Sequence, residues 1–448
     1  MSAISATISL SSIGEKSFTI KEGYKKTKLG WIPEDWETPR IDEVFDFLSS
    51  NSLSRNQLNY EEEEGVYNIH YGDIHATYKR PILDFENESR VPKINKEIAI
   101  SQTSDFLKDG DLVVADASED YEGVGEAIEL KNVNERKVIS GLHTFAFRDK
   151  TNKTAEGFRV YIFRNPLVKK ALKTIATGSK VYGISKGNLQ KFKIVLPTLP
   201  EQQKIATILS TWDSAIAKQE QLITAKQEFK KGLMQLLLTG KKRFEGFEGE
   251  WKAKKLKDLG EVFTGGTPSS EVEDYWGGEI TWYTPSEIRG AGKYIQKSRR
   301  KITLKGLKNS SATIFPKNTI VICTRATIGE LAISKVEACT NQGFKSLNVN
   351  ENNEVEFIYY KLKQSKTIFM RKASGSTFLE LSTTDFRNLI LKMPPLPEQQ
   401  KIASVLSAAD KEIGLLQSEL ARLRGQKRGL MQRLLTGEKR VKIKKIEL

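Results

Sequence analysis

Cysteine is nearly missing from this chain: Cys323 and Cys339 are the only two in 448 residues. That excludes a disulfide framework and a zinc-binding spacing, and it points to a reducing, cytoplasmic compartment. Histidine is almost as scarce, with His70, His75 and His143 all in the first half. They lack the cysteine or carboxylate neighbours of a metal cluster, so structural or contact roles fit them better than metal ligation. No apolar run approaches the ~18 residues of a membrane span. The Ser/Thr/Ile-rich residues 1–23 lack the basic start and unbroken apolar core of a signal peptide and read as a loosely ordered extension. No G-x-x-x-x-G-K-[ST] phosphate loop occurs: Gly178–Gly183 is the nearest approach, and Ile184 stands where lysine is required. Gly123-Val124-Gly125 is too short for a nucleotide loop and reads as a turn. The Asn/Asp-Pro-Pro-aromatic word of amino-methylating enzymes is absent too. The chain therefore carries no recognisable catalytic machinery and no expected cofactor or metal of its own.

Positive charge is plentiful. The formal net charge is +15, and it is unevenly spread: −1 over residues 1–200, +4 over 201–243, +6 over 244–397 and +6 over 398–448. An excess of this kind suggests a polyanionic partner, nucleic acid first. A solvated, lysine-rich helix face would give the same count.

A repeat organises the rest. LPEQQKIA occurs at Leu199–Ala206 and again at Leu396–Ala403, 197 positions on. At that fixed shift, Leu199–Arg243 matches Leu396–Arg440 at 23 of 45 positions, including GLMQ (Gly232–Gln235, Gly429–Gln432) and LTG (Leu238–Gly240, Leu435–Gly437). One unit is written twice. Pro200 and Pro397 suit a helix start, and the glutamate after each complements the positive helix end. A 4,3 spacing from Ile205 runs through Leu209, Trp212, Ile216, Gln219, Ile223, Lys226, Lys230, Leu233 and Leu237. The same phase in the second copy runs Ile402, Leu406, Ala409, Ile413, Leu416, Leu420, Leu423, Lys427, Leu430 and Leu434. Both are coiled-coil seams, closed by Gly240 and Gly437 as C-terminal stops. About 38 residues at roughly 1.5 Å each make a rod of about 57 Å, too long for an ordinary core helix. Seams of matched phase most simply pair with each other.

Between the helices lie two globular segments of mixed helix and strand, giving an α+β chain. Strand-like runs are Gly65–Tyr71, Asp111–Ala115, Val138–Phe147 and Phe192–Leu196 in the first, and Glu279–Tyr283, Asn318–Cys323 and Gly343–Val349 in the second. Trp36 and Trp251 open the two segments in similar settings, and ATGSK (Ala176–Lys180) faces ASGST (Ala373–Thr377) at the repeat shift. The expected division is 1–23 extension, 24–197 first domain, 198–243 first helix, 244–394 second domain, and 395–448 second helix with a basic tail. Antiparallel helices would give the domains pseudo-two-fold symmetry at a fixed spacing, an arrangement suited to a duplex target of two half-sites.

With YKKTKLGWIPEDWE (Tyr24–Glu37), both copies of LPEQQKIA and both GLMQ…LTG closings, the chain resembles the specificity subunits of type I restriction–modification systems. The resemblance runs from Tyr24 to the end. It implies two target-recognition domains that each read half of a bipartite double-stranded DNA sequence. It also implies two modification subunits that methylate adenine with S-adenosylmethionine, and restriction subunits that translocate with ATP and Mg²⁺. No base-reading residue belongs to the shared motif. The rival reading is a coiled-coil scaffold without specific DNA binding.

Candidate DNA contacts come from composition. KYIQKSRRKITLKGLK (Lys293–Lys308) holds seven Lys/Arg in 16 residues. Lys305 and Lys308 suit phosphates, Arg299 or Arg300 suits guanine, and Lys293, Tyr294, Lys297 and Lys301 complete the set. An exposed basic strand pair is the bland alternative. In the first domain Tyr78-Lys79-Arg80, after an expected hairpin, is the counterpart. Ser179-Lys180 and Ser376-Thr377 lie in equivalent glycine-containing loops, and Arg325 either enters a groove or pairs internally. Gly232 and Gly429, with Met234 and Met431, are candidate interface residues. Glycine costs about 1 kcal/mol in a helix interior, so its recurrence suggests close packing against the opposite helix start or a modification subunit.

Overall fold

The computed structural model describes residues 22–62, 64–374 and 379–443. Nearly all of the expected extension, and the Ser376-Thr377 pair, lie outside the described residues. The chain forms two compact units, Met1–Gln219 with Leu420–Leu448, and Glu220–Glu419. Each unit holds one globular domain and half of each long helix.

The first unit contains a five-stranded sheet ordered Phe45–Leu48, Thr144–Asp149, Leu112–Ala115, Ala127–Lys131, Ile82–Asp84. Only its last pair is parallel. The central strand is Leu-Val-Val-Ala, buried at every position, so it reads as an apolar run rather than an alternation. A second sheet runs Val138–Ser140, Tyr67–Ile69, Lys93–Ile94, Leu58–Asn59. The second unit repeats the plan: Gly260–Thr264, Phe344–Val349, Ile320–Cys323, Leu331–Ser334, Tyr294–Ile295, again with one parallel pair at the far edge. Its smaller sheet has three strands, Arg300–Ile302, Trp276–Tyr283 and Cys339–Thr340.

Three expectations need correction. The run Val138–Phe147 is two strands, because Gly141–His143 turn between them with His143 at φ +55°. The run Gly65–Tyr71 is a strand only over Tyr67–Ile69, because Tyr71 begins helix Tyr71–Ala76, capped by His70, whose Nδ1 accepts from the Gly72 amide at 3.1 Å. Tyr78-Lys79-Arg80 therefore follows a helix, not a hairpin. Phe192–Leu196 pairs with the Glu37–Arg40 segment only through single bridges (Glu37↔Leu196, Arg40↔Lys193). At the repeat shift the second domain makes a full ladder there, Lys252–Lys255 with Ile390–Met393.

The long helices span Leu199–Leu237 and Leu396–Leu435. Every residue of both seams is buried or half-buried. Gly240 and Gly437 both sit at φ +73°, the left-handed conformation that ends a helix without a Cβ penalty. Within the first unit the helices pair antiparallel, with Glu201 beside Arg440 and Asp213 beside Lys427. Within the second, Lys226 meets Glu412, Lys230 meets Asp410 and Arg243 meets Glu398.

Candidate nucleic-acid interface

The repeated words are attachment chemistry. Glu201 is buried at the start of the first helix. It accepts from the Trp36 indole N–H at 2.7 Å and pairs with Arg440 at 2.6 Å. Its counterpart Glu398 is also buried and takes two bonds from Arg243, at 2.9 and 2.7 Å. The next residue clamps the domain. Gln202 accepts from the Ala155 amide and donates to the Lys153 and Pro197 carbonyls. Gln399 does the same with the Glu354 amide, the Asn353 side chain and the Pro394 carbonyl.

Further along, the three lysines that interrupt the apolar seams are answered, Lys226 by Glu412 and the other two by half-buried aspartates. Asp213 accepts from the Tyr161 hydroxyl at 3.0 Å and from Lys427 at 2.5 Å. Asp410 accepts from the Tyr360 hydroxyl at 2.5 Å and from Lys230. Each triad ties a domain to both helices of its unit. A partly buried charge pair in a mostly apolar seam also fixes register. Composition alone did not single out these residues. The signal was present, since Glu and Gln recur inside LPEQQKIA, and Asp, Lys and Arg recur at the same 197 shift beyond it.

The basic run of the second domain is divided between two sheets and a short helix, Leu304–Lys308. Lys293 is mostly buried and donates to Glu356, Ser407 and Tyr360, so it belongs to internal structure and not to a DNA surface. The Tyr294 hydroxyl donates to Glu356, and burial with that carboxylate raises its pKa. Lys301 and Lys305 are exposed but paired, to Glu279 at 3.2 Å and Asp274 at 2.8 Å. The Arg299 amide is bound by Glu287, and its side chain is exposed. Lys297 and Lys308 are exposed without an ion-pair partner among the described residues. The Arg300 guanidinium lies 3.5 Å from the centre of the Trp276 ring. Arg325 is half-buried and bridges Glu380 through the backbone.

In the first domain Tyr78 is a core residue, and burial pushes its phenol well above the ordinary value, which removes it as a surface contact. Lys79 and Arg80 are exposed, Lys79 donating to the Ala76 carbonyl. Ser179 and Lys180 are exposed in a loop closed by Thr177↔Gly183. The three histidines surround Tyr71, with ring centres 4.8, 6.3 and 5.2 Å away for His70, His75 and His143. Among the described residues no group of three or more His, Cys, Asp or Glu is placed to hold a metal ion. Burial raises both cysteine thiols to about 12, so neither is a nucleophile near neutral pH.

An ideal Cβ on Gly232 or Gly429 would meet nothing within 4 Å. The opposite helix start therefore does not press on either glycine, which corrects that half of the packing expectation. Met234 and Met431 are half-buried against the cores of their own units.

The type I restriction modification DNA specificity domain family matches residues 33–225 and 248–424, once per domain-and-helix unit of the repeat. The chain belongs to this family. It is a sequence-recognition subunit with two recognition domains, and the family's specificity subunits are non-catalytic. Along 95% of its length it is 26% identical to a putative specificity subunit, MjaX, of Methanocaldococcus jannaschii, covering 98% of that protein. Over 165 residues it is 42% identical to the MjaIX specificity subunit of the same organism, 36% of this chain and 38% of that one. Among solved structures, the S subunit from M. genitalium superimposes with TM-score 0.52 at 16% identity, covering 93% of this chain and 98% of that one. A chain from work on complex assembly and conformational transition of the type I R-M system gives 0.59 at 17%, covering 91% and 99%. These structural likenesses support the fold. A scaffold without DNA recognition is not favoured.

Proposed function

We propose that each domain of this specificity subunit reads one half of a bipartite double-stranded DNA target and that the paired helices set the gap between the halves. The observation that carries this reading is the doubled attachment. Trp36–Glu201–Arg440 and Glu398–Arg243, with the two Tyr–Asp–Lys triads, fasten two unlike recognition surfaces in the same way. A rigid joint matters only if the register between the readers matters.

Two modification subunits using S-adenosylmethionine are the proposed partners, with restriction subunits supplying ATP- and Mg²⁺-dependent translocation. The setting would be the cytoplasm; among the described residues no helix is long and apolar enough to cross a membrane. The open faces at Gly232 and Gly429 support docking of a partner helix at each GLMQ turn. Leu222, Phe229 and Leu236 add exposed apolar surface on the first helix, but the second has Glu419, Gln426 and Arg433 at the matched places. The glycine turn is thus the surface that two like subunits would share.

The test is to co-express the chain with its modification subunit in a methylation-free host and map methylated adenines. A split motif with a fixed gap supports the reading. A continuous motif removes the spacer role, and an intact complex that leaves DNA unmethylated rejects recognition.

A further inference from the structure

Within the basic run of the second domain, Arg300 is stacked on tryptophan instead of being held by a carboxylate among the described residues. Of that run, Lys293, Lys301 and Lys305 are engaged by carboxylates, and Lys297 and Lys308 are exposed without an ion-pair partner among the described residues. Arg300 differs from both groups. It stands on Arg300–Ile302, an edge strand of the small sheet, with its Cα opposite Trp282. Its guanidinium is 3.5 Å from the centre of the Trp276 ring and 5.9 Å from that of Trp282.

The platform beneath it is fixed. The indoles meet edge to face with centres 5.1 Å apart. The Trp276 N–H donates to the Ser269 carbonyl at 3.0 Å, and the Trp282 N–H to the Gly266 carbonyl at 2.9 Å. Trp282, Ile302, Ala312 and Cys339 form a small apolar core of their own under this corner of the sheet. Stacking covers a face of the guanidinium, and among the described residues its N–H groups have no hydrogen-bond partner. A planar fork held in one orientation suits the adjacent O6 and N7 acceptors of guanine in a major groove, because little freedom is lost when the two bonds form. Arg299 has the same chemistry without the platform.

We propose that Arg300 is a base-reading residue of the second recognition domain, donating both edge N–H groups to one guanine, while Lys297 and Lys308 anchor neighbouring phosphates. This rests on the DNA-recognition reading above and adds a residue and a base to it: one half of the target contains a guanine that this side chain specifies.

The test uses the full chain with its modification subunit and compares methylation maps for the parent, Arg300→Ala, Arg300→Lys and Lys308→Ala. Arg300→Lys keeps the charge and a cation–π attraction to Trp276 but loses the planar fork. Both Arg300 variants are expected to accept other bases at one guanine position of one half-site, with discrimination there falling about 10- to 100-fold. The other half-site should be unchanged. Lys308→Ala should lower methylation at all sites alike and flatten the salt dependence of binding. If the Arg300→Ala chain melts early, Arg300→Lys decides. An unchanged motif in folded Arg300→Lys overturns the proposal, and so does a uniform loss at every site, which would make Arg300 a phosphate anchor. A parent map without a split motif would instead overturn the two-domain reading itself.

Discussion

The two units differ where they face outward and agree where they grip the helices. At the helix starts, Glu201 and Glu398 are buried against arginines 239 and 155 residues away, and Gln202 and Gln399 clamp the same kinds of backbone group. On the small sheets the units part. In the first, Lys93 lies 4.8 Å from the centre of the Tyr67 ring, but its ammonium is taken by the Glu62 carbonyl at 2.6 Å. In the second, Arg300 rests on Trp276, and among the described residues its guanidinium donors have no hydrogen-bond partner. The halves share the plan of their five-stranded sheets and their grips on the helices, and they differ on the small sheets.

The joints are the first place to break this comparison. Glu201→Ala would leave Arg440 with Asp35 as its one carboxylate and the buried Trp36 N–H without an acceptor, costing about 3 kcal/mol, the low end for a buried pair since Arg440 is partly exposed and keeps that second partner. Glu398→Ala should lower the melting temperature less. The Trp251 indole N–H is already without a partner, so only Arg243 loses one. Equal losses in denaturant melts would show that the indole bond adds nothing.

Titration sharpens the contrast. Burial raises Glu129 of the first unit to about 7, against the pull of the Gly157 and Val160 amides. Its stabilising share is present below about pH 4.5 and lost as pH rises through about 7, a swing of about 3 kcal/mol. Burial lowers Lys361 of the second unit to about 8. Its share is present above about pH 10.5 and lost as pH falls through about 8. Hydrogen exchange should show the units responding in separate windows, with Glu129→Gln and Lys361→Met each flattening only its own.

The helix stops should separate the units next. Both glycines sit at φ +73°. A Cβ on Gly437 would fall 2.4 Å from Cγ of Pro33, whereas one on Gly240 would meet Trp251 at 3.4 Å. Gly437→Ala should cost about 2 kcal/mol or more and Gly240→Ala about 1 kcal/mol, measured by chemical denaturation. The smallest effect runs the other way. Gly232→Ala and Gly429→Ala should each stabilise the isolated chain by about 1 kcal/mol. If a partner helix packs there, both should weaken assembly with the modification subunit.

The long helices, their stops and their shared phase were legible because a period of 3.5 and a 197-residue repeat survive in the letters themselves. The pairing of Phe192–Leu196 was half legible, since its apolar run showed burial but not that single bridges would replace a ladder. Tyr78 and Lys293 were misjudged because basic and aromatic composition cannot tell an exposed side chain from one drawn inward. Tyr78 joins the first domain's core, and Glu356 with Ser407 captures Lys293 from elements over 60 residues away. The sequence by itself determined the family, the doubled architecture and the seams, all of which depend on local periodicity. Only the tertiary structure decided which cations are spent on internal carboxylates and which, like Arg300 on its tryptophans, are left with donors to offer. That depends on which distant residues the sheets bring within 4 Å of a charge.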